Sequence, residues 1–498
     1  MALDGCTAAR TTHVDLATAS RPPAGGLPSG LPSSTLWSTR VTWSRVDAVH
    51  TGLPARIQWP ADVGPGIPDP THTMMAVTGD VVVAATTRPG AVTLRFINAK
   101  TGALIAARSL AVSSFTGIRA DTIGGEPVVE TQYAVTEHDG DGPSQSFTDT
   151  VFDTSGRQVW TNGGREPSDY AAPGLLVNNA DGLVTGGHTL WFNPGTDALH
   201  HGGSYTVQDL SGNALLTVPY WASIDPANPM EGTINGVQLA GGYAVVIHGG
   251  PGKTAAAAPH ARFTVYDLSR GAKVVAAPTV TFPEGPNLAH PEGPNPDPTA
   301  NVVAACGGKL VLALTDASWT GPSSARLTVL DVATGQTTPP VDVPSVVKAG
   351  TAGALSGLAD ASCSTMILNG PVVLTGRVPA SNSIAIDLSR GTLLWQKFAL
   401  NATYHYLSIH DGVIYALRDP TLTTQGRLIA ISAASGATLG TGYTAVPLAY
   451  TADGTPILAR VPHDPAPAAP SPSQSVSQYS GQPAAQLSPS VDVQLWAG

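Results

Sequence analysis

Charge is scarce in this chain. Only 12% of its 498 residues are charged, and 35 acids against 25 bases leave a net charge of −10. Nucleic-acid binding calls for a basic surface, so this composition argues against it. Cysteine is nearly missing: Cys6, Cys306 and Cys363 are the only three, with no Cys-x-x-Cys pair to suggest a zinc or dithiol site. No run of about 18 apolar residues is present, so no membrane-spanning helix is expected. Met1 is followed by polar, Thr-rich sequence rather than the apolar stretch of a signal peptide. The sequence also lacks a Gly-x-Ser-x-Gly elbow, a His-Glu-x-x-His pair and a P-loop, which removes the common hydrolase, zinc-protease and nucleotide-binding readings. Nor does any long stretch show helical periodicity.

What is abundant is glycine and proline, 54 and 43 residues, as a fold with many turns requires. They punctuate a phrase that recurs seven times: two apolar residues, Asp or a polar stand-in, two or three residues, Gly, then apolar residues again. The copies begin at Phe96, Val151, Val207, Val265, Val329, Ala385 and Ile429, and their polar positions are Asn98, Asp153, Asp209, Asp267, Asp331, Asp387 and Ser432. A repeat of this length signals an array. Each phrase reads as strand, tight turn, strand, with the Asp accepting backbone N–H groups inside the turn and Gly taking the positive φ. A second strand precedes each phrase, as in Gly308 to Leu314 and Gly412 to Leu417, and a third short one precedes that. Four short antiparallel strands per period, here A to D, predict an all-β propeller with four-stranded blades.

Residues 384 to 396, IAIDLSRGTLLWQ, carry a family resemblance. Together with the fair copies at 151 to 160 and 327 to 335, they resemble the PQQ-like, or quinoprotein-like, β-propeller repeat. The resemblance spans roughly residues 75 to 461. It implies a propeller fold and the packing of Trp160 and Trp395 between blades, with Trp37 in the same role. It does not imply an activity, because such repeats serve dehydrogenases, assembly scaffolds and sensors alike. The adjacent cysteines that many quinoprotein dehydrogenases place over their cofactor are missing, and no set of residues matches the family's calcium and base positions. The expectation is a protein without cofactor or metal, with a divergent dehydrogenase or an envelope assembly scaffold as alternatives.

The chain ends offer a way to close the ring. Leu448 to Tyr450 and Thr455 to Val461 read as strands A and B, Val491 to Trp496 as C, and Thr35 to Val41 as D. A composite blade made from both ends gives eight blades; leaving those segments as decoration gives seven. Residues 34–461 form the propeller on this reading, 1–33 and 462–490 are Pro- and Ser-rich linker-like segments, and 491–498 supply the closing strand. Cys306 and Cys363 fall at similar places in consecutive blades, which leaves two readings: a disulfide suited to an exported protein, or two buried thiols. Leu3-Asp4-Gly5-Cys6 has a faint lipobox character, so a lipoprotein, a secreted protein or a membrane-anchored ectodomain of an actinobacterium would fit the composition.

A propeller sends its B–C and D–A connections to one face and its A–B and C–D turns to the other. The long insertions, residues 136 to 147, 249 to 261 and 283 to 300, all belong to the first face. His138, Asp139, Asp141, His248, His260, Glu284, His290 and Glu292 are therefore expected to share one rim. Elaborated loops on a rigid scaffold are where binding resides. The expectation is a monomeric module that recognises a protein or a cell-surface glycan.

Overall fold

The computed structural model describes residues 31, 36–44, 75–161 (apart from 89, 113 and 140–141), 175–176, 184–193, 203–219, 233–250, 260–281, 299–315, 322–348, 356–400 (apart from 361 and 372–379), 404–418, 427–460 (apart from 444) and 490–497. Among these residues, regular structure is strand throughout apart from a single 3₁₀ turn at Leu268–Arg270. The strands form eight antiparallel sheets, each following a path of four. Sheet 1 shows the plan: Met75–Thr78, Val81–Arg88, Ala91–Asn98 and Leu104–Ala111 are hydrogen-bonded in that order as strands A to D. Sheets 2 to 7 repeat it over residues 114–161, 175–219, 233–281, 299–348, 356–400 and 404–443.

Sheet 8 draws on both ends of the chain. Its strands A and B are Val446–Tyr450 and Pro456–Arg460, its strand C is Ser490–Ala497, and its strand D is Trp37–Ser44. The eight residues of strand D pair in unbroken register with strand C, from Trp37 opposite Ala497 to Ser44 opposite Ser490. Strands A of sheets 1 and 8 touch, as do those of sheets 1 and 2, 4 and 5, 5 and 6, 6 and 7, and 7 and 8. Strand B of sheet 3 meets strand A of sheet 4, and Gly186 of sheet 3 donates its N–H to Asp121 of sheet 2. The ring of sheets is thus closed, and the fold is a β-propeller with a composite closing blade. Closure removes the open edges that an arc of sheets would expose.

The core lies between sheets rather than at one centre. Alternate residues of strands B and C face each neighbour, so Val83, Ala85, Leu94 and Phe96 of sheet 1 are fully buried, as are Val311, Ala313, Leu327 and Val329 of sheet 5 or nearly so. The A–B reversals are two-residue turns in most sheets. Four of them are Gly-Gly pairs with positive φ at both positions, such as Gly307 (55°) and Gly308 (75°), as a type I′ hairpin turn demands.

In sheets 6 and 8, a tryptophan of strand D locks onto the C–D turn of the next sheet. Trp395 donates from Nε1 to the carbonyl of Ala433 at 2.8 Å, and a Cβ on Gly436 would come within 2.9 Å of its indole. Trp37 repeats this contact on the carbonyl of Ala99 and on Gly102. Trp160 packs with Ile123, Val128 and Val151 of its own sheet and Leu210 of sheet 3. These glycines are required because the tryptophans lie against their backbone. One expectation needs correction: residues 136 to 147 are not a loop. They complete the longest hairpin among the described residues, Glu126–Asp139 with Gly142–Asp153, in which twelve residue pairs stand in register. Thr, Val, Gln and Phe in this stretch suit a strand, and a Gly-Asp-Gly reversal needs only two residues to turn the chain.

Candidate functional site

The two faces of the ring differ in how far the chain runs between strands. On the face of the A–B and C–D turns, every connection within the described sheets takes two to five residues. The polar residue opening each C–D turn is committed to the turn itself. Asp387 accepts from the N–H groups of Ser389 (2.8 Å) and Arg390 (3.0 Å) and from the Ser389 hydroxyl. Asp153, Asp209, Asp267, Asp331 and Asn98 do the same with Ser155, Ser211, Ser269, Thr334 and Thr101. Burial works against ionisation of Asp387 and Asp153, but these hydrogen bonds outweigh it and hold both carboxyls below the usual range. At Asp331 the N–H of Thr334, and at Asp209 the amide of Asn213, lower the carboxyl as the main cause. These acids stabilise the turns.

The opposite face receives all the long connections, up to the 30 residues between Ser44 and Met75. Four of the eight residues expected on this rim lie in described strands, each at the end that meets this face. His138 and Asp139 close strand B of sheet 2, opposite Pro143 and Gly142. His248 lies two residues from the end of strand B of sheet 4, opposite Arg262, and His260 opens strand C, opposite Gly250. Asp141, Glu284, His290 and Glu292 lie outside the described residues, as do the tails 1–30 and 461–489 and the loop residues Trp221 and Trp319. Near the turn face, Cys306 and Cys363 form a disulfide with a Cα–Cα distance of 5.5 Å, which ties strand A of sheet 5 to the A–B turn of sheet 6. No His/Cys/Asp/Glu group able to hold a metal ion occurs among the described residues.

Sequence reasoning missed a charged cluster in sheet 2. Arg119 on strand A stands opposite Glu130 on strand B, and Gln132 stands opposite Asp149 on strand C. Strand alternation puts these side chains on the face that bears Val128 and Val151, which pack toward Leu210 of sheet 3. The Arg119 guanidinium donates from Nε to Glu130 Oε2 at 3.0 Å and also contacts that oxygen through Nη2. Glu130 and Asp149 are buried, Asp149 completely. Burial, reinforced by the neighbouring Glu130 charge, pushes the Asp149 carboxyl up to about 8, against opposing effects from Arg119 and a Gln132 hydrogen bond. Burial likewise raises Asp121, which accepts from the N–H of Gly186 at 3.0 Å.

A signal for this cluster was present in the repeat. Four residues before the turn acid, other sheets carry Leu94, Phe263, Leu327, Ser383 and Leu428, all buried; sheet 2 carries Asp149. The offset from the repeated Asp marks that position as interior, so an acid there stands out once the repeats are aligned.

No family model and no curated protein matches the chain. Among solved structures it is similar to the quinohemoprotein alcohol dehydrogenase ADHIIG of Pseudomonas putida HK5, at 12% identity and a TM-score of 0.37, over 86% of this chain and 74% of that one. It is similar to the Dos1 propeller at 11% identity and a TM-score of 0.34, over 85% and 90% of the two chains. The β-propeller domain of the Trilobed protease from Pyrococcus furiosus matches at 10% identity and a TM-score of 0.31, over 68% and 90%. These likenesses concern the propeller architecture alone and carry no activity over to this chain.

Proposed function

We propose that this propeller is a non-catalytic recognition module that works outside the cytoplasm and binds a protein or glycan at a bacterial cell surface. The observation that supports this most directly is the one-sided distribution of connections: two to five residues on one face and up to 30 on the other. A closed ring is a rigid support, and variable loops on a rigid support are the usual seat of binding. His138, Asp139, His248 and His260 contribute to the binding rim, joined by Asp141, Glu284, His290 and Glu292 on the same side by chain order. The Cys306–Cys363 disulfide supports an oxidising compartment. The closed ring acts as a monomer on this reading and needs no cofactor.

The test is binding of fluorescently labelled protein to intact high-GC Gram-positive cells, before and after protease or glycan-hydrolase treatment. Retention after protease and loss after glycan hydrolysis identifies a glycan partner; the reverse identifies a protein. A variant with Ala at 138, 139, 248 and 260 is expected to lose binding while keeping its melting temperature. Binding equal to wild type in that variant removes the rim assignment, and no binding by the wild-type protein removes the recognition reading.

A further inference from the structure

The outermost strand of sheet 1 has an open edge of a kind that the other sheets avoid. Strand D here is Leu104–Ala111, and six of its eight side chains are exposed, Leu104 and Ile105 among them. Just past its end, Val112 donates to the carbonyl of Gly90. Antiparallel ladders alternate, so residues 106, 108 and 110 bond inward to strand C, and Ala107, Ser109 and Ala111 turn their N–H and C=O groups outward. Among the described residues one of these outward groups has a partner: the Ala107 carbonyl accepts from Arg108 Nη1 at 3.0 Å. A row of unpaired backbone groups beside apolar side chains is a template for another strand.

The other outer strands are blunted. Strand D of sheet 2 has four residues, that of sheet 3 ends on Pro219, and those of sheets 4 and 5 are broken at Pro278 and at Pro339–Pro340. Sheet 7 carries Gly440 and Gly442 in this strand, and sheet 8 carries Arg40. In sheet 6, residues 393–397 of the strand are half-buried. The one charge on strand D of sheet 1 is Arg108, whose Nε is drawn to the Gly156 carbonyl of sheet 2 at 2.5 Å.

The chain between sheets 8 and 1 supplies the occupant. Residues 45–74 lie outside the described residues and join Ser44 to Met75. Connections of that length without regular structure are uncommon in compact domains. Within this one, Ala55-Arg56-Ile57-Gln58-Trp59 alternates apolar and polar residues between Pro54 and Pro60, the pattern of a short strand. Both anchors lie at the loop face. Strands D of sheets 8 and 1 end there at Ser44 and Ala111, and strand A of sheet 1 starts there at Met75. Trp37 holds the two sheets side by side through the Ala99 carbonyl. A chain that leaves Ser44 and folds back therefore runs antiparallel to Leu104–Ala111. Residues 45–54 can reach about 33 Å and residues 60–74 about 50 Å, against a strand D about 27 Å long.

We propose that residues 55–59 add a fifth strand to the outer edge of sheet 1, where they pair with the outward groups of Ala107, Ser109 and Ala111 and cover the Leu104–Ile105 patch. The covered edge suits a ring that acts as a monomer, since an open one invites pairing between copies. The inference goes beyond the recognition reading and does not rest on it.

Hydrogen exchange read by mass spectrometry tests this on the intact chain. Residues 53–60 should exchange at least about tenfold more slowly than their intrinsic rates, at any protein concentration. Combined Ile57→Asp and Trp59→Asp should abolish that protection and speed exchange of residues 104–111 by about tenfold or more. Strands B and C of the same sheet, residues 81–98, should exchange as in wild type. Intrinsic rates over 53–60 in the wild-type protein overturn the proposal, as does equal exchange of 104–111 in wild type and variant. Protection of 104–111 that falls on dilution identifies a second copy as the occupant and also overturns it. Should the variant fail to fold, the wild-type protein decides: protection of both 53–60 and 104–111, unchanged on dilution, supports the fifth strand, and absence of either overturns it.

Discussion

Sheets 2 and 4 follow the same plan and meet their next neighbours in opposite ways. Counted in strand register from the C–D turn, Val245 and Phe263 of sheet 4 stand where sheet 2 has Glu130 and Asp149. In sheet 4 these residues, with Ile247 and Val265, merge with Leu310, Leu312 and Leu330 of sheet 5 into one apolar cluster. In sheet 2 the apolar part shrinks to Val128 and Val151 with Ile123, Trp160 and Leu210 around them. Strand A differs less: Gln238 of sheet 4 accepts from the N–H of Val302 in sheet 5, as Asp121 of sheet 2 accepts from Gly186 in sheet 3. The comparison teaches that backbone architecture sets the contact, while two side chains per sheet decide whether its buried face is wholly apolar or carries ionisable groups. Apolar burial works at any pH; buried carboxyls do not.

The largest effect is expected from breaking the apolar junction. Phe263 is fully buried, so Phe263→Ala should remove about 3–5 kcal/mol of stability through lost transfer free energy and a residual cavity. Denaturant titration at mildly acid and at neutral pH should give the same loss, because the Tyr243 phenol packed against that cluster is raised by burial and stays neutral in this range. A loss that changes with pH would break the contrast with sheet 2.

The disulfide comes next. It spans 57 residues and joins sheets 5 and 6. Replacing Cys306 and Cys363 by Ser should cost about 2–4 kcal/mol, seen as a lower melting temperature that no longer responds to a thiol reductant. Cys363 holds a φ of 53°, in the left-handed region. A Cys306→Ser, Cys363→Gly variant should therefore recover about 1 kcal/mol of that loss by relieving the side chain's backbone penalty.

Much of this architecture was legible in the sequence because the repeat encodes it directly. The Asp-to-Gly phrase fixes the C–D turn, the Gly-Gly doublets fix the A–B turns, and residues 491–496 and 35–41 could be read as strands by likeness to the interior repeats. The two-residue offset of apolar positions within strands B and C then follows from the pleat. What the repeat could not convey was the hairpin of sheet 2. There, Gly-Asp-Gly and the flanking polar residues look like an insertion, since Thr, Ser and Gln are common to loops and to solvated strands. The charged root was hidden for a related reason. Glu130, Asp149 and Arg119 are scattered over 31 residues of sequence, and only strand register brings them to one face. Of the rim, the side could be predicted from strand order, whereas the contacts of its side chains depend on tertiary detail that no local pattern contains.

The smallest effect sharpens the comparison from its other side, because the turn aspartates shift in the direction opposite to Asp149. Asp387 is held ionised by Ser389 and Arg390, and its carboxyl lies below 3.8 in the folded chain. A lowered carboxyl gives stability that is present above its unfolded value and is lost as the pH falls through its folded one. The turn acids thus shape the acid limb of the stability profile, and Asp149 shapes the neutral-to-alkaline limb. Asp387→Ala should cost about 1 kcal/mol or less at neutral pH, since the turn is at the surface and solvent screens its charges. The difference from wild type should shrink as the pH drops below about 4, where the unfolded chain takes up the proton first, and vanish once the pH has fallen through the lower folded value. Melting curves across the acid range check this, and a difference that stays constant would mean that the side chain supports the turn through packing rather than through its charge.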